Sequence, residues 1–168
     1  MDIIFSHANG YPAPVYSVLF SALKARGIQV TALDKFGHDP RFPIQDNWAN
    51  LTQELVAYAT EQVARHNEPA WLVGHSLGGY LSLMAACLKP NLVKGVVLMD
   101  SPILGGWRAG MVRVSKRTGM VDSFSPGKVS RRRRQSWPSL DAVLAHFKSK
   151  KVFAQWHPQV LEHYAAQG

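Results

Sequence analysis

Short apolar runs alternate with longer amphipathic stretches over the first hundred residues. The apolar runs have the length and composition of buried strands, and the stretches between them repeat apolar side chains at helical spacing. The predicted strands are residues 2–5, 28–33, 70–73 and 95–99. The predicted helices are residues 15–26, a helix capped by Asp46 or Asn47 that runs to about residue 65, and residues 80–88. This alternation is typical of an α/β fold in which helices cover both faces of a parallel sheet.

The alternation of strands and helices stops after residue 102. From there the chain predicts short helices with dispersed aromatic side chains, at residues 107–118, 139–147 and 158–166. We therefore divide the chain into a core at residues 1–102 and a helical segment at residues 103–168.

The basic charge of the chain also lies in the second segment. The net charge is +8 over 168 residues. Residues 1–100 hold 7 Lys and Arg against 8 Asp and Glu, whereas residues 101–168 hold 12 against 3. The charge thus changes near the point where the hydrophobic pattern changes, which supports a boundary there.

Composition excludes several classes of protein. Hydrophobic residues make up 46% of the chain, which is enough for a core and argues against disorder. The single cysteine, Cys87, excludes an internal disulfide. We see neither a signal peptide nor a stretch of membrane-spanning length, so the sequence predicts a cytoplasmic protein without a membrane partner.

A glycine-flanked serine stands between a predicted strand and a predicted helix. The pattern is Gly74-His75-Ser76-Leu77-Gly78, and it follows the strand at residues 70–73. A sharp bend there would lift the hydroxyl of Ser76 clear of the backbone. Side chains at Gly74 and Gly78 would collide as strand and helix close on each other. The helix would point unpaired N–H groups at a developing oxyanion.

This strand–turn–helix arrangement resembles the nucleophile elbow of the α/β-hydrolases. The resemblance implies a serine hydrolase that acts on a small-molecule ester, thioester or amide and needs no metal or organic cofactor. It also implies that residues 103–168 form a helical cap over the active site. Trp107 is our candidate there for a contact with substrate; alternatively, the aromatic residues of this segment fill the interfaces between small helices.

The resemblance also assigns an oxyanion hole. One donor is the N–H of Leu77, and the other comes from the loop after the first strand. That loop, His7-Ala8-Asn9-Gly10, is similar to the family's His-Gly-x motif and makes Asn9 the donor, with alanine in place of the usual glycine. We expect His7 to brace this loop and to border the substrate site, since a histidine before the serine departs from the family order for the base.

Asp100 is the candidate acid. It follows the strand at residues 95–99, and parallel strands end at one edge of a sheet, so it would emerge beside Ser76. Alternatively, its carboxylate caps the loop or holds Ser101. Asp34, after the second strand, is the weaker choice.

The sequence offers no clear candidate for the catalytic base. The family histidine follows the last strand, and here only His146, His157 and His163 come after residue 100. Each fits a helix-surface or interface residue better than a base. By resemblance, the chain looks like the front portion of a longer hydrolase or a natural truncation.

Two other functions stay open. One is a non-catalytic protein that keeps the turn without completing a triad. The other is nucleic-acid binding through the arginines at residues 131–134, which is the weaker of the two because no nucleic-acid-binding fold accompanies them. The strand at residues 95–99 would lie on an open sheet edge, which predicts self-association.

Overall fold

A computed structural model describes residues 1–101, 103 and 136–167 of the chain. Within these residues, four strands form one sheet: β1 (Asp2–Ser6), β2 (Gln29–Ala32), β3 (Ala70–His75) and β4 (Val93–Met99). The strand order is β2-β1-β3-β4, and all three pairings are parallel. The parallel sheet predicted from the alternating pattern is therefore confirmed.

Three helices connect the strands. They are α1 (Ser17–Lys24), α2 (Ala49–His66) and α3 (Leu77–Leu88). Short 3-10 turns precede α1, precede α2 and follow α3, at Ala13–Tyr16, Asp46–Trp48 and Pro90–Leu92. The helix predicted at residues 15–26 is thus divided between a 3-10 turn and α1. At the start of α2, Asn47 and Trp48 have left-handed backbones, and Asn47 Oδ1 accepts the N–H of Ala49.

The helices cover both faces of the sheet. On one face, Ile4 and Leu72 pack with Leu55 of α2 and Leu81 of α3. The other face carries Ile3, Phe5 and Val73, against which Tyr16, Leu19 and Phe20 pack. Neighbouring strand residues point to opposite faces, so the apolar runs supply both layers at once.

The C-terminal residues form three further helices. These are α4 (Leu140–Lys148), α5 (Lys151–Ala154) and α6 (Pro158–Gln167). The helices predicted at residues 139–147 and 158–166 are confirmed, whereas α5 was not predicted. Leu161 and Tyr164 of α6 form a buried cluster with Val15, so α6 packs on the 3-10 turn before α1.

Aromatic side chains join these helices. Phe147 of α4, Phe153 of α5 and Tyr164 of α6 have ring centroids 4.7 to 5.6 Å apart. These three therefore fill the interfaces between small helices. The helix predicted at residues 107–118, Trp107 and the arginines at residues 131–134 lie outside the described residues. In the part of the chain that is described, no helix is both long and apolar enough to span a bilayer.

Candidate active site

Ser76 lies at the bend between β3 and α3, in a backbone conformation that is rare for a residue with a side chain. Its φ is 51° and its ψ is −115°. Such a conformation costs free energy and persists only where the surroundings hold it. The N–H of Ser76 donates to the carbonyl of Met99 at 2.9 Å, and its own carbonyl accepts the N–H of Gly79 at 3.1 Å. The bend is therefore fixed both to β4 and to the first turn of α3.

Glycines allow the chain to pass close to itself around Ser76. A Cβ added at Gly74 would overlap the backbone carbonyl of Gly78. A Cβ added at Gly78 would overlap the carbonyl of Ser6 and lie 2.7 Å from the carbonyl oxygen of His7. The predicted collision between strand and helix is thus found at Gly74, whereas Gly78 makes room for Ser6, the last residue of β1, and for His7.

Gly79 is a further constrained position, which the sequence analysis missed. A Cβ there would overlap Ser101 Oγ and lie 2.7 Å from Ser101 Cβ. Ser101 is buried, and its hydroxyl is within hydrogen-bond distance of the carbonyl of Ser76. In the sequence, the only signal of this constraint was that Gly79 is the second glycine of a Gly-Gly pair.

His7 braces the loop after β1. The N–H of Phe36 donates to its Nε2 at 3.0 Å, and its Nδ1 lies 2.9 Å from the carbonyl oxygen of Ala8. Burial lowers the pKa of His7, which favours the neutral ring. Since Nε2 accepts, the ring proton is on Nδ1 and is donated to Ala8. Both ring nitrogens bond to backbone, which supports the bracing role; a contact of His7 with substrate stays a prediction.

Asn9 lies on the loop after β1, and Leu77 follows Ser76 at the start of α3. Asn9 is exposed in the turn after β1, and the preceding Ala8 is buried. Leu77 is the first residue of α3, so its N–H has no acceptor within the helix. Both amides thus belong to segments held close to Ser76, and their role as oxyanion donors is taken up below.

Tyr16 connects the loop after β1 to the end of β3, and nothing in the sequence pattern indicated this role. Its hydroxyl accepts the N–H of Ala8 at 3.2 Å and lies 2.7 Å from His75 Nδ1. Burial raises the pKa of Tyr16 to about 12. Burial also lowers the pKa of His75, against a smaller opposing effect of Asp100. Both side chains are therefore neutral near pH 7, and a hydrogen bond joins the tyrosine hydroxyl to the imidazole.

Asp100 follows β4 and is exposed. Met99 pairs with His75 across the sheet and its carbonyl accepts the N–H of Ser76, so the backbone of Asp100 continues directly from that contact. Asp34 is also exposed, but it follows β2, which β1 separates from β3. Strand order therefore favours Asp100 over Asp34 as a neighbour of Ser76.

The three late histidines lie on or next to the C-terminal helices. His146 is on α4 with its ring 4.7 Å from Trp137, His163 is on α6, and His157 immediately precedes α6. All three are exposed. Among residues 1–101, 103 and 136–167, no histidine hydrogen-bonds to the side chain of Ser76. The described residues therefore leave the base unassigned.

The fold and this strand–turn–helix arrangement agree with what sequence comparison finds. The pattern of the alpha/beta hydrolase family matches residues 3–167, and the chain belongs to that family. This confirms the resemblance drawn from the motif and the fold class.

Individual relatives are distant and longer. The chain is 26% identical over 164 residues to a monoglyceride lipase homolog of Monkeypox virus, covering 90% of this chain and 59% of that protein. It is 31% identical over 106 residues to the monoglyceride lipase of Rattus norvegicus, covering 61% of this chain and 35% of that protein. Among solved structures, an E-2-(acetamidomethylene)succinate hydrolase matches all of this chain and 56% of its own, with a TM-score of 0.67 and 23% identity. The chain therefore spans little more than half the length of these relatives at most.

Proposed function

We propose that this chain carries the nucleophile and the oxyanion hole of a serine hydrolase that cleaves a small-molecule ester, with thioesters and amides as related substrates. The observation that carries the proposal is the backbone of Ser76, held at φ 51° between a parallel strand and a twelve-residue helix. Strained backbone of this kind clusters at active sites, and at a bend between strand and helix it would present the serine hydroxyl at the sheet edge. The two monoglyceride lipase relatives favour an ester over an amide.

In the proposed reaction, Ser76 Oγ attacks the carbonyl carbon of the ester. A histidine base takes the hydroxyl proton and returns it to the leaving alcohol as the ester C–O bond breaks. Water then attacks the acyl-serine in the same way, which releases the acid and restores the hydroxyl. Asp100 would orient that histidine and stabilise its charged form.

The oxyanion of each tetrahedral intermediate would be held by the N–H groups of Leu77 and Asn9. Leu77 offers an amide at the N-terminus of α3, where the helix dipole adds to the stabilisation. Each such donor commonly contributes about 3 kcal/mol to the transition state. The close passage of Gly78 against Ser6 supports this assignment, because it brings the loop that carries Asn9 against the start of α3.

A fluorophosphonate probe on the full-length protein tests the proposal. Labelling and p-nitrophenyl ester hydrolysis should both be lost in Ser76→Ala and kept in Ser21→Ala, a control at an exposed serine of α1. Circular dichroism would verify that both variants fold. Labelling of Ser76→Ala at the wild-type level would overturn the proposal.

The second candidate is a protein that keeps the fold but binds without hydrolysing. The observation that favours it is that none of the described histidines hydrogen-bonds to the side chain of Ser76; the ring of His146, for example, lies 4.7 Å from that of Trp137 at an angle of 55°. This candidate predicts that neither wild type nor Ser76→Ala reacts with the probe.

A further inference from the structure

One hydroxyl joins the two backbone segments that would supply the oxyanion donors. Tyr16 accepts the N–H of Ala8 at 3.2 Å on one side and meets His75 Nδ1 at 2.7 Å on the other. Asn9 is the residue after Ala8, and Leu77 is two residues after His75. We propose that Tyr16 is a positioning residue that sets the separation of the Asn9 and Leu77 N–H groups. This inference rests on the proposed function.

Neighbouring aromatic rings hold the ring of Tyr16 in place. The ring of Tyr16 lies 4.7 Å from that of Phe5 and stacks at 6.2 Å on that of Phe20. The ring of His75 meets it edge-on at 5.9 Å. With its ring fixed on the sheet, the hydroxyl is held between the N–H of Ala8 and Nδ1 of His75. The amide of Ala8 donates to a lone pair of the hydroxyl, and a second hydrogen bond joins the hydroxyl to the neutral imidazole.

Removing the hydroxyl would leave the N–H of Ala8 and Nδ1 of His75 without this hydrogen-bond partner. Ala8 is 3% exposed, so its N–H would have no ready access to water. The loop would shift to find another acceptor, and Asn9 would move with it. Oxyanion stabilisation depends steeply on donor position, so the loss should affect the transition state more than the bound substrate.

The test uses Tyr16→Phe in the full-length protein, because phenylalanine keeps the ring packing and removes only the hydroxyl. We expect kcat for a p-nitrophenyl ester to fall about thirtyfold while KM stays within about twofold, as for a donor partly displaced from an oxyanion. Affinity for an alkylboronic acid, which forms a tetrahedral adduct on a serine, should fall by a similar factor. The matched control is Tyr58→Phe, which removes a hydroxyl that donates to the Ala32 carbonyl at 3.2 Å and should leave kcat unchanged.

A second variant keeps the inference testable if Tyr16→Phe folds poorly. His75→Phe removes the partner on the other side, and it should also lower kcat with little change in KM. Because both substitutions break the hydrogen bond between Tyr16 and His75, and Tyr16→Phe also releases the N–H of Ala8, the double variant should lose no more activity than Tyr16→Phe alone.

The outcomes separate this inference from the function on which it rests. A folded Tyr16→Phe protein with normal kcat would overturn the positioning role, provided that Ser76→Ala is inactive. An equal loss in Tyr58→Phe would also overturn it, since any lost hydroxyl would then have the same effect. If Ser76→Ala hydrolyses the ester at the wild-type rate, the proposed function fails and the inference fails with it.

Discussion

The hydroxyl of Ser101 lies 2.9 Å from the carbonyl oxygen of Ser76. It is also 3.1 Å from the carbonyl oxygen of Met99, the residue that accepts the N–H of Ser76. Ser101 is only 8% exposed, and it occupies the space that Gly79 leaves by having no side chain. Gly79 and Ser101 therefore act as a pair in holding the bend.

This pairing predicts a strong coupling between substitutions at the two positions. Gly79→Ala should cost about 2 kcal/mol of unfolding free energy through overpacking. In a Ser101→Gly background, which removes both clashing atoms, the same change should cost about 1 kcal/mol less. Urea unfolding of the four proteins of the cycle would measure this. Strictly additive costs would show that the two residues do not share the space.

Gly78 should be less tolerant of alanine than a glycine with open surroundings. Gly78→Ala should cost about 3 kcal/mol, because its Cβ meets backbone atoms of Ser6 that a rotamer change does not move. Gly27 is the control: its φ is +75° but nothing lies near its missing Cβ, so Gly27→Ala should cost about 1 kcal/mol from strain alone. Equal costs in chemical unfolding would argue against the close passage.

Asp100 and Asp34 allow a direct comparison of the two candidate acids. Asp100→Asn in the full-length protein should lower kcat about 10³-fold or more, because the histidine would lose its orientation and counter-charge. Asp34→Asn, on the strand farther from Ser76, should leave kcat within about twofold. Both variants should keep the wild-type melting temperature. The reverse ranking would move the acid to the end of β2.

The buried His7 predicts a loss of stability on acidification. Burial lowers its pKa below the usual 6.5, so the unfolded chain binds the proton more readily than the folded one. The contribution of neutral His7 is therefore complete above pH 6.5 and declines as pH falls from 6.5 to its folded pKa. The slope due to this one group is at most about 1.4 kcal/mol per pH unit.

His7→Gln provides the measurement, because glutamine does not titrate. Its unfolding free energy should change less between pH 7 and pH 5 than that of wild type. His75, whose pKa is also lowered, and Glu54, whose pKa burial raises, contribute to both proteins and drop out of the difference. Parallel pH profiles would show that His7 is not responsible for any acid sensitivity.

Strand β4 predicts self-association of a chain of residues 1–168. In the described part of the chain β4 pairs with β3 alone, and Val97 is 43% exposed on it. An uncovered apolar edge strand pairs readily with other chains, so the mass from light scattering should rise with concentration. Val97→Lys should reduce this, whereas Val152→Lys, at an exposed valine of α5, should not. A monomer at all concentrations would contradict the prediction.

Local sequence patterns were sufficient for most of the fold. The strand at residues 95–99 and the helix at residues 80–88 were found because burial imposes a period on nearby residues, and the structure extends both by a few positions. The left-handed backbones of Asn47 and Trp48 were not foreseen, since nothing in their composition requires them. The segment with the predicted helix at residues 107–118 lies outside the described residues, so that prediction stands untested.

The parts of the candidate site that were not predicted depend on contacts between residues that are far apart in the sequence. Tyr16 and His75 are 59 positions apart, and no periodicity relates them. Tyr16 fits the predicted apolar helix as an ordinary core residue, and only the folded sheet places its hydroxyl between the loop after β1 and the end of β3. The constraint at Gly79 likewise comes from Ser101, which lies after β4 and is distant in the sequence.

The packing of α6 on the 3-10 turn before α1 imposes an order on biosynthesis. Val15 leaves the ribosome early, but its buried partners Leu161 and Tyr164 are made roughly 150 residues later. At a synthesis rate of 5–20 residues per second, the apolar side of that turn stays uncovered by α6 for about 7 to 30 seconds. The sheet can assemble during translation, whereas the setting of Tyr16, the final residue of this turn, is completed only after α6 has been synthesised.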